Sequence, residues 1–106
     1  MRKFVALFII LIYKGFVFGN DFQEGNEAYN NKDFKTAINL YENCVNQGVA
    51  NPILFFNLGN AYFKNENLGK AILWYERALR LEPNNEDIIH NLAFANTQIV
   101  DKVNND

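Results

Sequence analysis

Apolar residues recur every three or four positions through the second half of the chain. Between residues 58 and 85 this spacing marks two amphipathic segments separated by a short polar turn. Such a period is typical of helices that bury one face. Small and large residues alternate on that face: Leu58, Gly59, Tyr62, Leu68, Ala71, Tyr75, Ala78 and Leu79. Pro83 ends the second segment. The pattern therefore predicts a helical hairpin.

The same arrangement occurs once more, earlier in the chain and at a constant offset. Gly25 corresponds to Gly59 and Tyr41 to Tyr75. A further six positions agree in the first copy, with some exchanges of residue type: Phe22, Asn26, Phe34, Ala37, Ile38 and Cys44. A constant repeat step indicates units that stack and bury one another's apolar faces. We expect a first unit over residues 20–51 and a second over residues 52–85.

A third amphipathic segment follows Pro83. Asn84 and Asn85 can cap a helix, and Glu86 and Asp87 place acidic groups near its positive end. Its apolar face is wide: Ile88, Ile89, Leu92, Ala93, Ala95, Ile99, Val100 and Val103. We predict a capping helix over residues 86–103 that forms half of a third unit and covers the second. Residues 104–106 are expected to be a frayed tail.

Residues 1–19 have the layout of a secretory signal peptide. Arg2 and Lys3 precede ten apolar residues, and small residues at 17 and 19 suit a cleavage site. The alternative is a retained membrane anchor, but ten helical residues rise only about 15 Å against about 30 Å of hydrocarbon. We therefore expect export, with the protein periplasmic or at the periplasmic face of the inner membrane. Membrane association is expected only if this segment is retained.

Charge and cysteine content narrow the range of partners. Three of the ten basic residues and none of the twelve acidic ones lie in residues 1–19, so removing them leaves a net charge of about −5. An acidic chain without a basic stripe argues against nucleic acid as a partner. Cys44 is the single cysteine, so no internal disulfide can form. Packing alone must stabilise the fold.

The sequence offers little for catalysis or metal binding. His90 is the single histidine, and no second cysteine accompanies Cys44. No glycine-rich phosphate loop or serine nucleophile motif is present. We expect no catalytic residue, no metal and no cofactor, and interpret Cys44 as a core thiol. A thiol-dependent enzyme using Cys44 is the remote alternative.

The second unit resembles the tetratricopeptide repeat, a helix-turn-helix family. The resemblance is carried by Leu58-Gly59-x-x-Tyr62 and by four later positions, Ala71, Tyr75, Ala78 and Pro83. Phe55 stands where a tryptophan is usual, and Glu66 departs from the common turn glycine. The resemblance implies an all-α solenoid of two repeats and a capping helix, which serves as a protein-binding scaffold.

The family uses the first helices of its units to line a concave binding face. By this resemblance the face carries Phe22, Asn26, Tyr29, Phe56, Asn60, Phe63, Lys64, His90, Phe94 and Gln98. The alternative is that Phe22, Phe56 and Phe63 pack within the stack. Some members hold acidic peptide tails with a Lys, Asn and Arg clamp. Here Phe22, His90 and Phe94 fall on its Lys, Lys and Arg positions, which argues against such a clamp.

Residues 55–103 also resemble the repeat region of BatE-type aerotolerance proteins of Bacteroidetes. The stretch from Asn91 to Val103, NLAFANTQIVDKV, carries much of this likeness. The resemblance implies a component of an envelope stress complex that binds envelope proteins or peptides. The alternative is a self-associating structural subunit of an envelope assembly, joined through the open end of the half unit.

Overall fold

Five consecutive helices make up the part of the chain that the structure, a computed structural model, describes, which is residues 20–105. They are α1 over residues 20–30, α2 (Phe34–Asn46), α3 (Pro52–Lys64), α4 (Leu68–Leu81) and α5 (Glu86–Asn105). No strand occurs in these residues. This part of the chain is thus all-helical, as predicted. The signal peptide predicted for residues 1–19 lies outside the described residues.

Polar side chains begin the helices by accepting hydrogen bonds from otherwise unpaired backbone N–H groups. Asp33 caps α2, Asn67 caps α4, and Asn85 accepts from the first turn of α5. Asn51 Oδ1 accepts from Ile53 N at 2.8 Å and precedes Pro52 at the first position of α3. Pro52 has no N–H to leave unpaired and its fixed φ suits a helix, so this start is set locally.

The three inter-helix turns after α1, α2 and α3 share one left-handed geometry. Lys32, Gly48 and Glu66 have φ of 63°, 91° and 65°. At the end of α3 the Glu66 N–H donates to Phe63 O and the Asn67 N–H to Tyr62 O. These two bonds satisfy carbonyls that the helix leaves free. Only Gly48 adopts this backbone without steric cost, so Glu66 is held there by the hydrogen bonds of the turn.

A tyrosine ring lies directly on a glycine in each hairpin. A Cβ added at Gly59 would lie 2.6 Å from Tyr75 Cδ1, and one added at Gly25 would lie 2.7 Å from Tyr41 Cε1. Both tyrosines are buried. The absence of a side chain at these positions therefore lets the second helix of each hairpin approach the first. This contact recurs at the repeat step and sets the geometry of both units.

Further contacts join one hairpin to the next. The Tyr62 hydroxyl on α3 donates to Glu42 Oε1 on α2 at 2.7 Å. Burial, followed by the hydrogen bond and charge of Glu42, raises the pKa of Tyr62 to about 12, so this hydroxyl keeps its proton at neutral pH. Most of the buried apolar residues form one continuous core: Ala37, Ile38, Tyr41, Cys44, Leu54, Leu58, Ala61, Tyr62, Ala71, Trp74, Tyr75 and Ala95.

Helix α5 packs on α4 through one stripe of its surface. Ala95 is buried in the core there with Leu92 packed against it, and Ile88 is buried near the start of the helix. A second apolar stripe remains open, with Val100 54% and Val103 68% exposed. The helix continues to Asn105, past the predicted limit at residue 103, so residues 104 and 105 are helical where a frayed tail was expected. Covering α4 thus uses only half of the wide apolar face seen in the sequence.

None of the helices in residues 20–105 is both long enough and apolar enough to cross a bilayer.

Two glycine-to-alanine variants test the packing. Gly59→Ala forces Tyr75 to move and should lower the free energy of unfolding by about 1–3 kcal/mol. Gly69, in the first turn of α4, has open space around it and no positive φ. Gly69→Ala should raise stability by about 0.5–1 kcal/mol, because alanine restricts the unfolded chain. Urea unfolding of both variants gives the two values, and equal shifts of the same sign would contradict the packing described.

Candidate functional site

Three helices meet at a hydrogen-bonded amide on the inner side of the first repeat. Asn26 Oδ1, on α1, accepts from the Tyr41 hydroxyl of α2 and from Asn57 Nδ2 of α3, the latter at 3.2 Å. The three side chains come from separate stretches of the sequence. Folding alone brings them together, and the amide of Asn26 is held by both neighbours.

An equivalent cluster lies one repeat further on. Asn60 Oδ1 accepts from the Tyr75 hydroxyl at 2.5 Å and from Asn91 Nδ2 at 3.0 Å. Every member stands one repeat step after its counterpart in the first cluster. Because both clusters are built the same way, Asn26 and Asn60 present their amides in the same orientation. We call these two sets of residues the amide clusters.

The bonding pattern leaves the amide NH2 groups for a partner. A carbonyl oxygen offers two lone pairs, and those of Asn26 and Asn60 each accept two hydrogen bonds. Burial raises the pKa of Tyr41 to about 12, and burial also raises the pKa of Tyr75. Both hydroxyls therefore remain donors near neutral pH. The oxygens stay occupied, and within residues 20–105 the Nδ2 groups of Asn26 and Asn60 make no side-chain hydrogen bond.

The amide clusters line one groove with two adjoining segments. The first, with a volume of about 340 Å³, is bounded by Asn26, Tyr29, Asn30, Tyr41, Asn57 and Asn60. The second, of about 220 Å³, is bounded by Tyr29, Asn60, Phe63, Lys64, Tyr75, Asn91 and Phe94. Tyr29 and Asn60 belong to both segments, so the groove is continuous. We call it the amide groove.

The far end of the amide groove is aromatic. The rings of Phe63 and Phe94 lie with centroids 5.7 Å apart and planes inclined at 45°. Phe94 is 50% exposed although it is a large apolar residue. Lys64, which is exposed, lies beside this pair. The groove therefore changes from amide to aromatic character along its length.

Six of the ten residues proposed for the concave face line the amide groove: Asn26, Tyr29, Asn60, Phe63, Lys64 and Phe94. Phe22 and Phe56 instead pack against Tyr41 and Tyr75, each with ring centroids 5.9 Å apart. These two rings are half-buried parts of the stack. His90 and Gln98 are exposed on α5 and border neither segment of the groove.

Five residues of the groove do not appear among the candidates chosen from the sequence: Asn30, Tyr41, Asn57, Tyr75 and Asn91. The two tyrosines have the apolar spacing of core residues, which hides their polar role. Asn57 and Asn91 occupy the same position in successive repeats. This shared repeat position is the sequence signal that could have identified Asn57 and Asn91, since a polar residue kept at one repeat position often makes the same contact in each copy.

The described residues offer little for chemical reaction. Cys44 is buried, and burial raises the pKa of its thiol, so the reactive thiolate is disfavoured. Within residues 20–105 no group of three or more His, Cys, Asp or Glu residues is placed to hold a metal ion. The site presents a row of hydrogen-bonding amides, the half-buried ring of Phe63 and the exposed ring of Phe94.

Comparison with known protein families and curated proteins shows which proteins the repeat is similar to. Residues 52–85 match the family model described as tetratricopeptide repeat. Tetratricopeptide repeat protein 6 of Homo sapiens is 29% identical over 63 residues, covering 59% of this chain and 12% of that protein. Serine/threonine-protein phosphatase T of Aspergillus oryzae is 31% identical over 77 residues, covering 73% and 16%. The chain thus spans less than a fifth of either relative.

The three-dimensional comparison agrees with the sequence match. The crystal structure of the Sgt2 TPR domain from Aspergillus fumigatus superposes with a TM-score of 0.72 at 28% identity, covering 79% of this chain and 56% of that one. Its similarity extends over more of the chain than the single matched repeat. Together with the repeated glycine–tyrosine contact, these findings identify residues 52–85 as a tetratricopeptide repeat within an all-helical TPR-type fold, which is a scaffold for protein–protein interaction.

Proposed function

We propose that the amide groove binds an extended segment of a partner protein. The observation that supports this most is the pair of amide clusters, one repeat apart, whose Asn26 and Asn60 NH2 groups are free to donate. An extended peptide presents a row of carbonyl acceptors at regular spacing. Amides that recur along one groove suit such a row better than they suit a compact small molecule.

The rigidity of the clusters favours binding. Asn26 and Asn60 are each held by two hydrogen bonds before any partner arrives. Little side-chain freedom is therefore lost on association. The groove is short, and a standard stable interface takes about 800 Å² from each partner. We therefore expect peptide-sized segments to bind weakly, at about micromolar Kd.

An isosteric variant tests this function. Asn60→Asp keeps the oxygen that Tyr75 and Asn91 donate to, but replaces the NH2 donor by a second acceptor. We expect the purified chain to enrich members of a phage-displayed library of random linear dodecapeptides. Asn60→Asp should weaken binding of the enriched peptides by about tenfold, with a similar melting temperature, because one donor is lost and a repulsive carboxylate gained.

The matched control is Asn43→Asp, which makes the same change on the exposed surface of α2, outside the groove. It should bind as the wild type does. Failure to enrich any peptide, or equal binding by wild type and Asn60→Asp, would refute the proposed site. Equal weakening by both variants would attribute the effect to net charge and would equally refute it.

We also propose that the protein is exported and works in an envelope stress complex. Export is supported by the signal-like composition of residues 1–19, and the complex by the resemblance of residues 55–103 to BatE-type proteins. The expected outcome is a mature protein that starts at Asn20 and fractionates with the periplasm. N-terminal sequencing of the protein from its own cells checks this. A chain that keeps residues 1–19 and stays in the cytosol would refute it.

The exposed stripe of α5 supports self-association as a second candidate function. Val100 and Val103 are more than half exposed, whereas soluble monomers bury most such clusters. The α5 surface that carries them is the one a further helix would cover. Sedimentation equilibrium should show a mass that rises with concentration and that Val100→Lys restores to the monomer value. A monomeric mass for wild type at all concentrations would exclude this function.

A further inference from the structure

The amide clusters occupy two successive repeat positions, and the third position carries a different residue. Asn26 and Asn60 are one repeat step apart, and the next step falls on Phe94. An asparagine there would continue the row of amides along α5. Phe94 lies at the end of the groove, where its ring meets that of Phe63 on α3, so the change bears on the groove surface.

The buried residues of α5 do not include Phe94. Ala95 lies in the buried core with Leu92 packed against it, and Ile88 is buried near the start of α5. Phe94 remains 50% exposed and contacts one face of Phe63, which is itself half-buried. A half-exposed ring gains only part of the stabilisation that full burial gives. The pair therefore forms an apolar surface inside an otherwise amide-lined groove.

The geometry of the ring pair suits one more large apolar side chain. Aromatic groups attract one another in tilted or offset arrangements with centroids about 4.5–7 Å apart. Phe63 and Phe94 are tilted at 45° and border a groove segment of about 220 Å³. That volume accommodates a single aromatic or branched aliphatic side chain, and Tyr29 and Asn60 lie along the same segment to contact the adjoining backbone.

The charge of the residues that line the groove indicates which peptides are complementary to it. Of the described residues that line the two groove segments, Lys64 is the charged one, and the others are asparagines and aromatic residues. A chain terminus flanked by acidic side chains carries several negative charges, and neutral amides do not balance them. One ammonium group matches one carboxylate. The groove is therefore complementary to an internal segment with a single acidic residue near its anchor.

We propose that the amide groove selects an internal, extended segment of a partner protein that carries one aromatic or large aliphatic anchor. The anchor packs on Phe63 and Phe94, an adjacent acidic side chain faces Lys64, and the backbone before it bonds to Asn60 and Asn26. Phe94 is thus the residue that determines specificity. This inference rests on the proposed function and states which segment the same groove takes.

Peptide selection with one exchanged residue tests the anchor. The purified wild-type chain and its Phe94→Asn variant are each used to select from the random dodecapeptide library. The Asn variant supplies the amide that the repeat would otherwise have at this position. Leu81→Asn is the control, because Leu81 is similarly exposed, at 47%, and lies outside the groove.

We expect wild type and Leu81→Asn to enrich peptides with one aromatic or large aliphatic residue next to Asp or Glu. Phe94→Asn should lose that preference and bind the wild-type peptides about tenfold more weakly, while its far-ultraviolet circular dichroism stays that of a folded helical protein. Synthetic versions of the selected peptides with a free or an amidated carboxyl terminus should bind equally, since no terminal carboxylate is recognised.

The outcomes separate this inference from the proposed function. Enriched peptides without an apolar anchor, or an unchanged preference in Phe94→Asn, would overturn the anchor while leaving the peptide groove in place. Loss of binding on amidation would overturn the internal segment in favour of a chain terminus. Failure to enrich any peptide would remove the proposed function and this inference together.

Discussion

The close approach of a tyrosine ring to a glycine governs both the scaffold and the amide groove. Tyr75 lies on Gly59 because no side chain intervenes, and the approach brings its hydroxyl to Asn60. The same residue thus closes the hairpin through its ring and orients an amide through its hydroxyl. Tyr41 does both at Gly25 and Asn26. In each repeat, one tyrosine therefore contributes both to helix packing and to the lining of the amide groove.

Because the tyrosine–asparagine contact occurs in both repeats, the two amide clusters line one groove. The bond from Asn57 to Asn26, and its copy from Asn91 to Asn60, each run from one repeat to the next. Neighbouring units are then joined by the residues that line the groove as well as by the apolar core. A short solenoid gains rigidity on its inner side in this way, and its amides are held in fixed orientations.

The last helix differs from the earlier ones in two respects. On the inner side Phe94 replaces the repeated asparagine and gives the groove an aromatic end. On the outer side Ile89, Val100 and Val103 remain exposed because no second helix of this unit lies among the described residues. The two places where α5 departs from the repeat are therefore surfaces that packing within the described residues leaves exposed.

The sequence by itself determined the helices, their repeat register and the cap of the last helix at Asn85, because these follow from residue types at short, regular spacings. It also indicated six residues of the groove, through the family pattern. Only the tertiary structure decided that Phe22 and Phe56 pack on tyrosines, that α5 leaves one apolar stripe open, and that Asn57 and Asn91 complete the amide clusters. Those outcomes depend on how helices from different parts of the sequence are set against one another, which the spacing of apolar residues along a single helix does not specify.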